Sequence, residues 1–120
     1  MNILYLDDEQ DILDLAQLFF QDHGLSIDTS SSPSAALAMA ETKSYDVILS
    51  DARMPEMGGL DFYAILRYKL GYTGRFILVS GHYDSSDKTN IPDGIDALIV
   101  KPVEFEQLYQ LINRLEIKSQ

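Results

Sequence analysis

Cysteine is absent from the chain. That excludes disulfides and thiolate metal sites. Cations are scarce: Lys and Arg number 9 against 19 Asp and Glu, for a formal net charge of −10. No basic patch or stripe interrupts the acidic excess, so direct nucleic-acid binding by this chain is not expected. Long apolar runs are missing too. No segment approaches the ~20 residues that cross a bilayer, so no membrane partner is expected. The opening Met1-Asn2-Ile3-Leu4-Tyr5-Leu6 is too short for a signal peptide and lacks its basic start. The phosphate-cradling pattern G-x-x-x-x-G-K-[ST] is absent, which weighs against a nucleotide-binding loop. There is no internal repeat, low-complexity tract or linker. The expectation is one cytoplasmic domain spanning residues 1–120.

What is present is ordinary for a globular domain: 46% hydrophobic and 23% charged residues. A domain of this size buries roughly two-thirds of its unfolded surface and needs no staple. Ile3-Leu4-Tyr5-Leu6 is a continuous apolar run that stops at Asp7-Asp8-Glu9. Such a run marks a strand covered on both faces, as in a parallel sheet. Ile12, Leu15, Ala16, Phe19 and Phe20 then recur at helical spacing, with Asp8 or Glu9 to start the helix and Gly24 to end it. Residues 25–29 alternate, which predicts an edge strand. Ser32 reads as an N-cap and Pro33 as the first helical residue. Ala36, Leu37, Met39 and Ala40 give that helix its apolar face.

Val47-Ile48-Leu49 predicts a third strand, ending in Ser50-Asp51 before a Pro/Gly turn segment. A helix from Leu60 to Leu70 is expected to stop at Gly71. Phe76 to Val79 is a further buried strand, followed by Ser80-Gly81. Between His82 and Asp96 apolar residues thin out, and a helix there would be short, about 84–90. Ala97 to Val100 is the last strand, ending at Lys101-Pro102. The final helix runs from about 104 to 117, with Phe105, Leu108, Leu111, Ile112 and Leu115 inward. Five β-α repeats predict a parallel sheet with helices on both faces and right-handed crossovers.

Open α/β sheets bind ligands at the carboxyl ends of their strands. Here those ends carry Asp7 and Asp8, Asp51, Ser80 and Lys101. Singly, each has an ordinary explanation: Asp8 as a helix N-cap, Asp51 as a turn residue, Ser80 and Lys101 as common strand-end groups. Together they place three carboxylates, a hydroxyl and an ammonium on one rim. Clustered carboxylates repel, and Mg²⁺ relieves such repulsion while keeping waters and sharing its shell with phosphate. Lys101 supplies a charge for a phosphate oxygen and Ser80 a donor. That set suits phosphoryl transfer, with Asp51 the nucleophile and Asp7 and Asp8 the metal holders.

Four motifs carry a family resemblance over essentially the whole chain. They are Leu6-Asp7-Asp8-Glu9, Ser50-Asp51-Ala52-Arg53-Met54-Pro55-Glu56-Met57-Gly58-Gly59, Val79-Ser80-Gly81 and Val100-Lys101-Pro102. The chain resembles the response-regulator receiver domain of two-component signalling, of the chemotaxis-regulator type. The resemblance implies a flavodoxin-like (βα)₅ fold, a doubly wound five-stranded parallel sheet in order 2-1-3-4-5. It implies that Asp51 takes a phosphoryl group from a phosphohistidine on a histidine kinase or histidine phosphotransfer protein. It implies Mg²⁺ on Asp7 or Asp8, Asp51 and the backbone carbonyl of Arg53. Lys101 and Ser80 would hold the phosphoryl group, and Lys101-Pro102 would be cis. The downstream partner or fused output domain is not named by the resemblance. Arg53 and His82 fall where family members tune phosphoryl lifetime. Leu98 stands where the family often has an aromatic, and Gly81 where it often has Ala.

Two other functions stay open at this point. One is a phosphorylation-independent interaction module that keeps the pocket. The other is an aspartate-nucleophile phosphatase, which would need a D-x-D pair and a cap insertion; neither is in the chain. The receiver reading makes the protein a signalling module and not an enzyme turning over a free substrate.

Overall fold

The computed structural model describes residues 1–81 and 94–118. The helix expected at about 84–90 and His82 lie outside the described residues. Five strands form, β1 (Asn2–Leu6), β2 (Ser26–Ser30), β3 (Val47–Asp51), β4 (Arg75–Ser80) and β5 (Ala97–Val100). All neighbouring pairs are parallel and the order is β2-β1-β3-β4-β5. The continuous apolar runs became the strands covered on both faces. β3 is buried along its whole length, and β1 everywhere but its first residue. The alternating segment became β2, at an edge.

Helices cover both faces, so the sheet divides the interior in two. On one side Ile3, Tyr5, Val47, Leu49 and Ile77 pack against Leu13, Ala16 and Phe20 of α1 (Gln10–Asp22) and Leu108 and Ile112 of α4 (Phe105–Lys118). On the other side Leu4, Leu6, Ile48, Phe76 and Leu78 pack against Ala36 of α2 (Pro33–Thr42) and Phe62 and Tyr63 of α3 (Gly59–Ala64). Residue spacing of two along each strand decides which side a residue joins.

Several local expectations hold. Ser32 caps α2, its Oγ accepting from Ala35 N at 3.4 Å, with Pro33 at the helix start. Gly24 and Gly71 follow α1 and the α3 segment at φ 77° and 73°, a conformation costly for any residue with a Cβ. Lys101-Pro102 is cis.

Three details differ. Leu15 is 55% exposed, and Leu13 takes the core place beside Ala16 and Phe20. Ile12, Leu13, Leu15, Ala16, Leu18, Phe19 and Phe20 put apolar groups round most of α1, so spacing alone selects no unique inner stripe. Asp8 does not cap α1: the N-cap position is Glu9, with no side-chain cap bond. The expected helix 60–70 is α-helical only to Ala64 and widens into a π turn over Ile65–Lys69, where Leu70 N donates to Ile65 O at 3.0 Å. That widening accompanies a tether. Arg67 donates to the carbonyls of Tyr72, Gly74 and Gly94, tying the helix end to two following loops.

Candidate functional site

β1 and β3 are neighbours, and both end in acids. Asp7 follows Leu6 directly and Asp51 closes β3. By two-residue alternation Asp7 shares the α1/α4 face with Ile3 and Tyr5, and Asp51 shares it with Val47 and Leu49. Asp7 is fully buried and Asp51 is 4% exposed. Asp8 is exposed at the rim. Carboxylate oxygens of Asp7, Asp8 and Asp51 all lie within 4.8 Å of one another.

Each buried carboxylate has one oxygen held by the loop that follows it. Asp7 Oδ1 accepts from Glu9 N at 2.9 Å, and Asp51 Oδ1 accepts from Arg53 N at 3.2 Å. The other oxygens face one cation. Lys101 Nζ donates to Asp51 Oδ2 at 2.8 Å and stands 3.5 Å from Asp7 Oδ2. Asp7 Oδ2 has no hydrogen-bond partner among the described residues. Burial pushes the Asp7 carboxyl above the ordinary aspartate value, more than the Glu9 N–H and Lys101 lower it. Burial works against the Lys101 ammonium, but the Asp51 hydrogen bond and the Asp7 charge outweigh it and hold its pKa up.

Ser80 closes β4 one residue beyond Val79, which pairs with Asp51, and Lys101 N donates to the Ser80 carbonyl at 2.8 Å. The Arg53 side chain is exposed. Leu98 is half-buried and packs on the α2/α3 side of the sheet.

The turn behind Asp51 is packed against its strand. A Cβ on Gly59 would stand 2.5 Å from the Asp51 carbonyl oxygen and 2.8 Å from Leu78 Cδ1. Gly59 N also donates to Ala52 O at 2.9 Å. The Pro/Gly segment therefore combines close approach at one end with an anchor further out. There Glu56 accepts from Ser34 N at 3.1 Å, at the start of α2. Sequence reading overlooked this Glu56 contact and the Gly59 packing. The only signal for the latter was a glycine at the start of a helix, where the chain must pass close to a strand.

The rim is thus an all-oxygen donor set with one ammonium. Mg²⁺ holds ligands at ~2.0–2.1 Å in an octahedron, so opposite oxygens lie ~4 Å apart. Carboxylates already within 4.8 Å need only a small closure to fit. The Asp7 oxygen has no competing hydrogen bond, its one close contact being Lys101, so it would be available to a cation. A second concavity, a cleft of about 660 Å³, lies at the amino ends of the strands and is lined by Lys43, Tyr45, Arg67, Tyr72, Arg75 and Asp96 among others. Its cations are already engaged, Lys43 with Asp28, Arg75 with Asp96 and Arg67 with carbonyls.

Comparison with known proteins agrees with this geometry. The family model described as the response regulator receiver domain matches residues 3–113. The response regulator ArlR of Staphylococcus haemolyticus is 31% identical over 112 residues, covering 92% of this chain and 50% of that protein. The chain thus spans about half the length of the curated relatives it matches. A Francisella response regulator 1452 receiver domain superposes with a TM-score of 0.90 at 26% identity, covering 99% of this chain and 98% of that one. TrrA of Thermotoga maritima, solved in complex with Mg(2+)-BeF, superposes with a TM-score of 0.81 at 28% identity, covering 95% and 97%. Strand order, the acidic rim with its lysine, and these matches lead to one assignment: the chain belongs to the response regulator receiver domains of two-component signalling.

Proposed function

We propose that Asp51 accepts a phosphoryl group from a phosphohistidine donor, a histidine kinase or a histidine phosphotransfer protein, in a Mg²⁺-dependent reaction in the cytoplasm. The observation that carries this reading is the Lys101–Asp51 contact at 2.8 Å beside carboxylates within 4.8 Å. An ammonium bound to the acceptor carboxylate is placed to neutralise the incoming phosphoryl oxygens.

In the transfer an Asp51 carboxylate oxygen forms the new bond to phosphorus. The bond from phosphorus to the donor imidazole nitrogen breaks, and its electron pair leaves with the imidazole. Asp7, Asp8, Asp51 and the Arg53 carbonyl would hold Mg²⁺, which supplies charge neutralisation of the transferring oxygens. The Arg53 and Glu9 N–H groups fix the two buried carboxylates against rotation. Lys101 exchanges its carboxylate partners for phosphoryl oxygens, and Ser80 donates to another of them. The product carries added charge at a buried rim and biases the surfaces built on β4 and β5 toward a downstream protein or fused output domain. The phosphoryl group is the chain's own modification, and no free substrate is turned over. The Mg(2+)-BeF complex of TrrA supports carrying both the metal and the phosphoryl position to this chain.

The phosphorylation-independent alternative keeps the same pocket, so the geometry does not separate the two; the Mg(2+)-BeF complex of TrrA favours the phosphorylated reading. Intact-mass measurement after incubation with acetyl phosphate and Mg²⁺ tests the reading. One added phosphoryl mass is expected, absent in Asp51→Asn. No mass gain, or an equal gain in the variant, would overturn it.

A further inference from the structure

Tyr5 lies on β1 two residues before Asp7, so both occupy the same face of the sheet. It pairs in register with Leu49, two residues before Asp51. Tyr5 is fully buried, and its hydroxyl has no hydrogen-bond partner among the described residues. That sets it apart from Tyr45, Tyr63 and Tyr72. Tyr45 donates to Asp28 at 2.7 Å, Tyr63 accepts from Arg67 at 3.3 Å, and Tyr72 donates to the Arg75 carbonyl at 2.7 Å. A phenylalanine would fill the Tyr5 position with no stranded oxygen. Asp7 Oδ2 is the other buried side-chain polar atom without a hydrogen-bond partner among the described residues.

The two orphans are complementary, one a donor and one an acceptor. A phenol hydroxyl can donate and accept at once. Mg²⁺ characteristically retains several waters, which are strong donors.

We propose that Tyr5 is a positioning residue for the pocket's cation, its hydroxyl accepting a hydrogen bond from a cation-bound water and donating its own to the Asp7 carboxylate. This rests on the Mg²⁺ reading above. Outer-shell partners of this kind orient the ligand and typically contribute 10–100-fold to metal affinity.

Isothermal titration of the whole chain with MgCl₂, without any phosphodonor, tests it. Tyr5→Phe is expected to bind Mg²⁺ about tenfold more weakly than wild type. Its metal-free melting midpoint should equal or exceed the wild-type value, because only an unpartnered hydroxyl is lost. Unchanged affinity in Tyr5→Phe, with wild type binding normally, overturns the Tyr5 proposal alone. Absence of Mg²⁺ binding by wild type overturns the metal reading itself and this proposal with it. A second measurement needs no variant. With ¹³Cζ-labelled tyrosine, the Tyr5 resonance should shift on adding Mg²⁺ while Tyr63, buried on the opposite side of the sheet, stays in place. A stationary Tyr5 signal under saturating Mg²⁺ counts against the proposal.

Discussion

Replacing Lys101 by Met keeps the stem and removes the charge. Its ammonium is 2.8 Å from Asp51 Oδ2 and 3.5 Å from Asp7 Oδ2, with the lysine side chain 24% exposed. At an effective dielectric constant of ~20 those contacts correspond to about 6 and about 5 kcal/mol of attraction. Desolvation of the ammonium offsets several kcal/mol of this. The carboxylates left behind lie within 4.8 Å of one another and repel by at least about 3 kcal/mol on the same scale. Removing one partner from a buried ionic group typically costs ~3–5 kcal/mol, and partial exposure of Lys101 puts this case near the lower end, about 3 kcal/mol. For a chain of this length that is a drop of roughly 10 °C in melting temperature.

The assay is urea unfolding followed by circular dichroism, in EDTA, at a series of pH values. Burial raises the Asp7 carboxyl above 3.8, so the folded chain binds that proton more tightly than the unfolded chain does. The group's favourable contribution is complete below 3.8 and is lost as pH rises through the raised folded value. The ammonium's contribution, with its pKa raised above 10.5, is fully present at neutral pH. Lys101→Met therefore suffers most near pH 7, and its deficit narrows toward pH 4 as the Asp7 carboxyl takes up its proton. Adding Asp51→Asn to Lys101→Met should restore much of the loss. A deficit below about 1 kcal/mol at pH 7, or one that stays constant down to pH 4, refutes the reasoning.

Two further substitutions probe the same rim. Asp7→Asn removes a buried carboxylate crowded within 4.8 Å of those of Asp8 and Asp51, and relief of burial and repulsion outweighs the lost 3.5 Å contact with Lys101, so the metal-free protein should gain about 1 kcal/mol. It should also lose the rise in melting temperature that MgCl₂ gives wild type, and a retained Mg²⁺ response would argue against Asp7 as a ligand. Gly59→Ala drives a Cβ to 2.5 Å from the Asp51 carbonyl and should cost about 2–3 kcal/mol in urea unfolding, whereas Gly81→Ala meets nothing within 4 Å and should stay within about 0.5 kcal/mol. Equal effects at the two glycines would show that the turn behind Asp51 relaxes freely.

The strands were legible because apolar runs stop abruptly at charged residues, while their order came from the family resemblance. Ile3–Leu6 ends at Asp7 and Val47–Leu49 leads into Asp51, so the same residues that mark the strand ends are those of the rim. Convergence of Asp7, Asp8, Asp51 and Lys101 followed from topology without any long-range contact having to be guessed. Details set by tertiary competition were not legible. Leu15 and Leu13 differ in burial because the sheet and α4 choose one side of a helix whose apolar residues spread round most of its circumference. Either Asp8 or Glu9 was expected to start α1; Glu9 takes the cap position, and the Asp8 carboxylate lies within 4.8 Å of those of Asp7 and Asp51. The π turn at Ile65–Lys69 has no signature in residue spacing. Tyr5 escaped notice because, inside an apolar run, a tyrosine counts as one more core residue until its oxygen is accounted for.

The division of the interior by the sheet makes two properties separately adjustable. Asp51 and Tyr5 lie on the face shared with α1 and α4, while Leu98 and Leu78 belong to the opposite face. Along β5, Leu98 alternates with Ala97 and Ile99, so a change at Leu98 alters the packing of one compartment and leaves the floor of the carboxylate rim in the other. A library varied only at odd or only at even positions of β1, β3 and β5 would thus sort itself into variants of the rim's floor and variants of the opposite compartment. The two could be selected in parallel and recombined with little cross-talk.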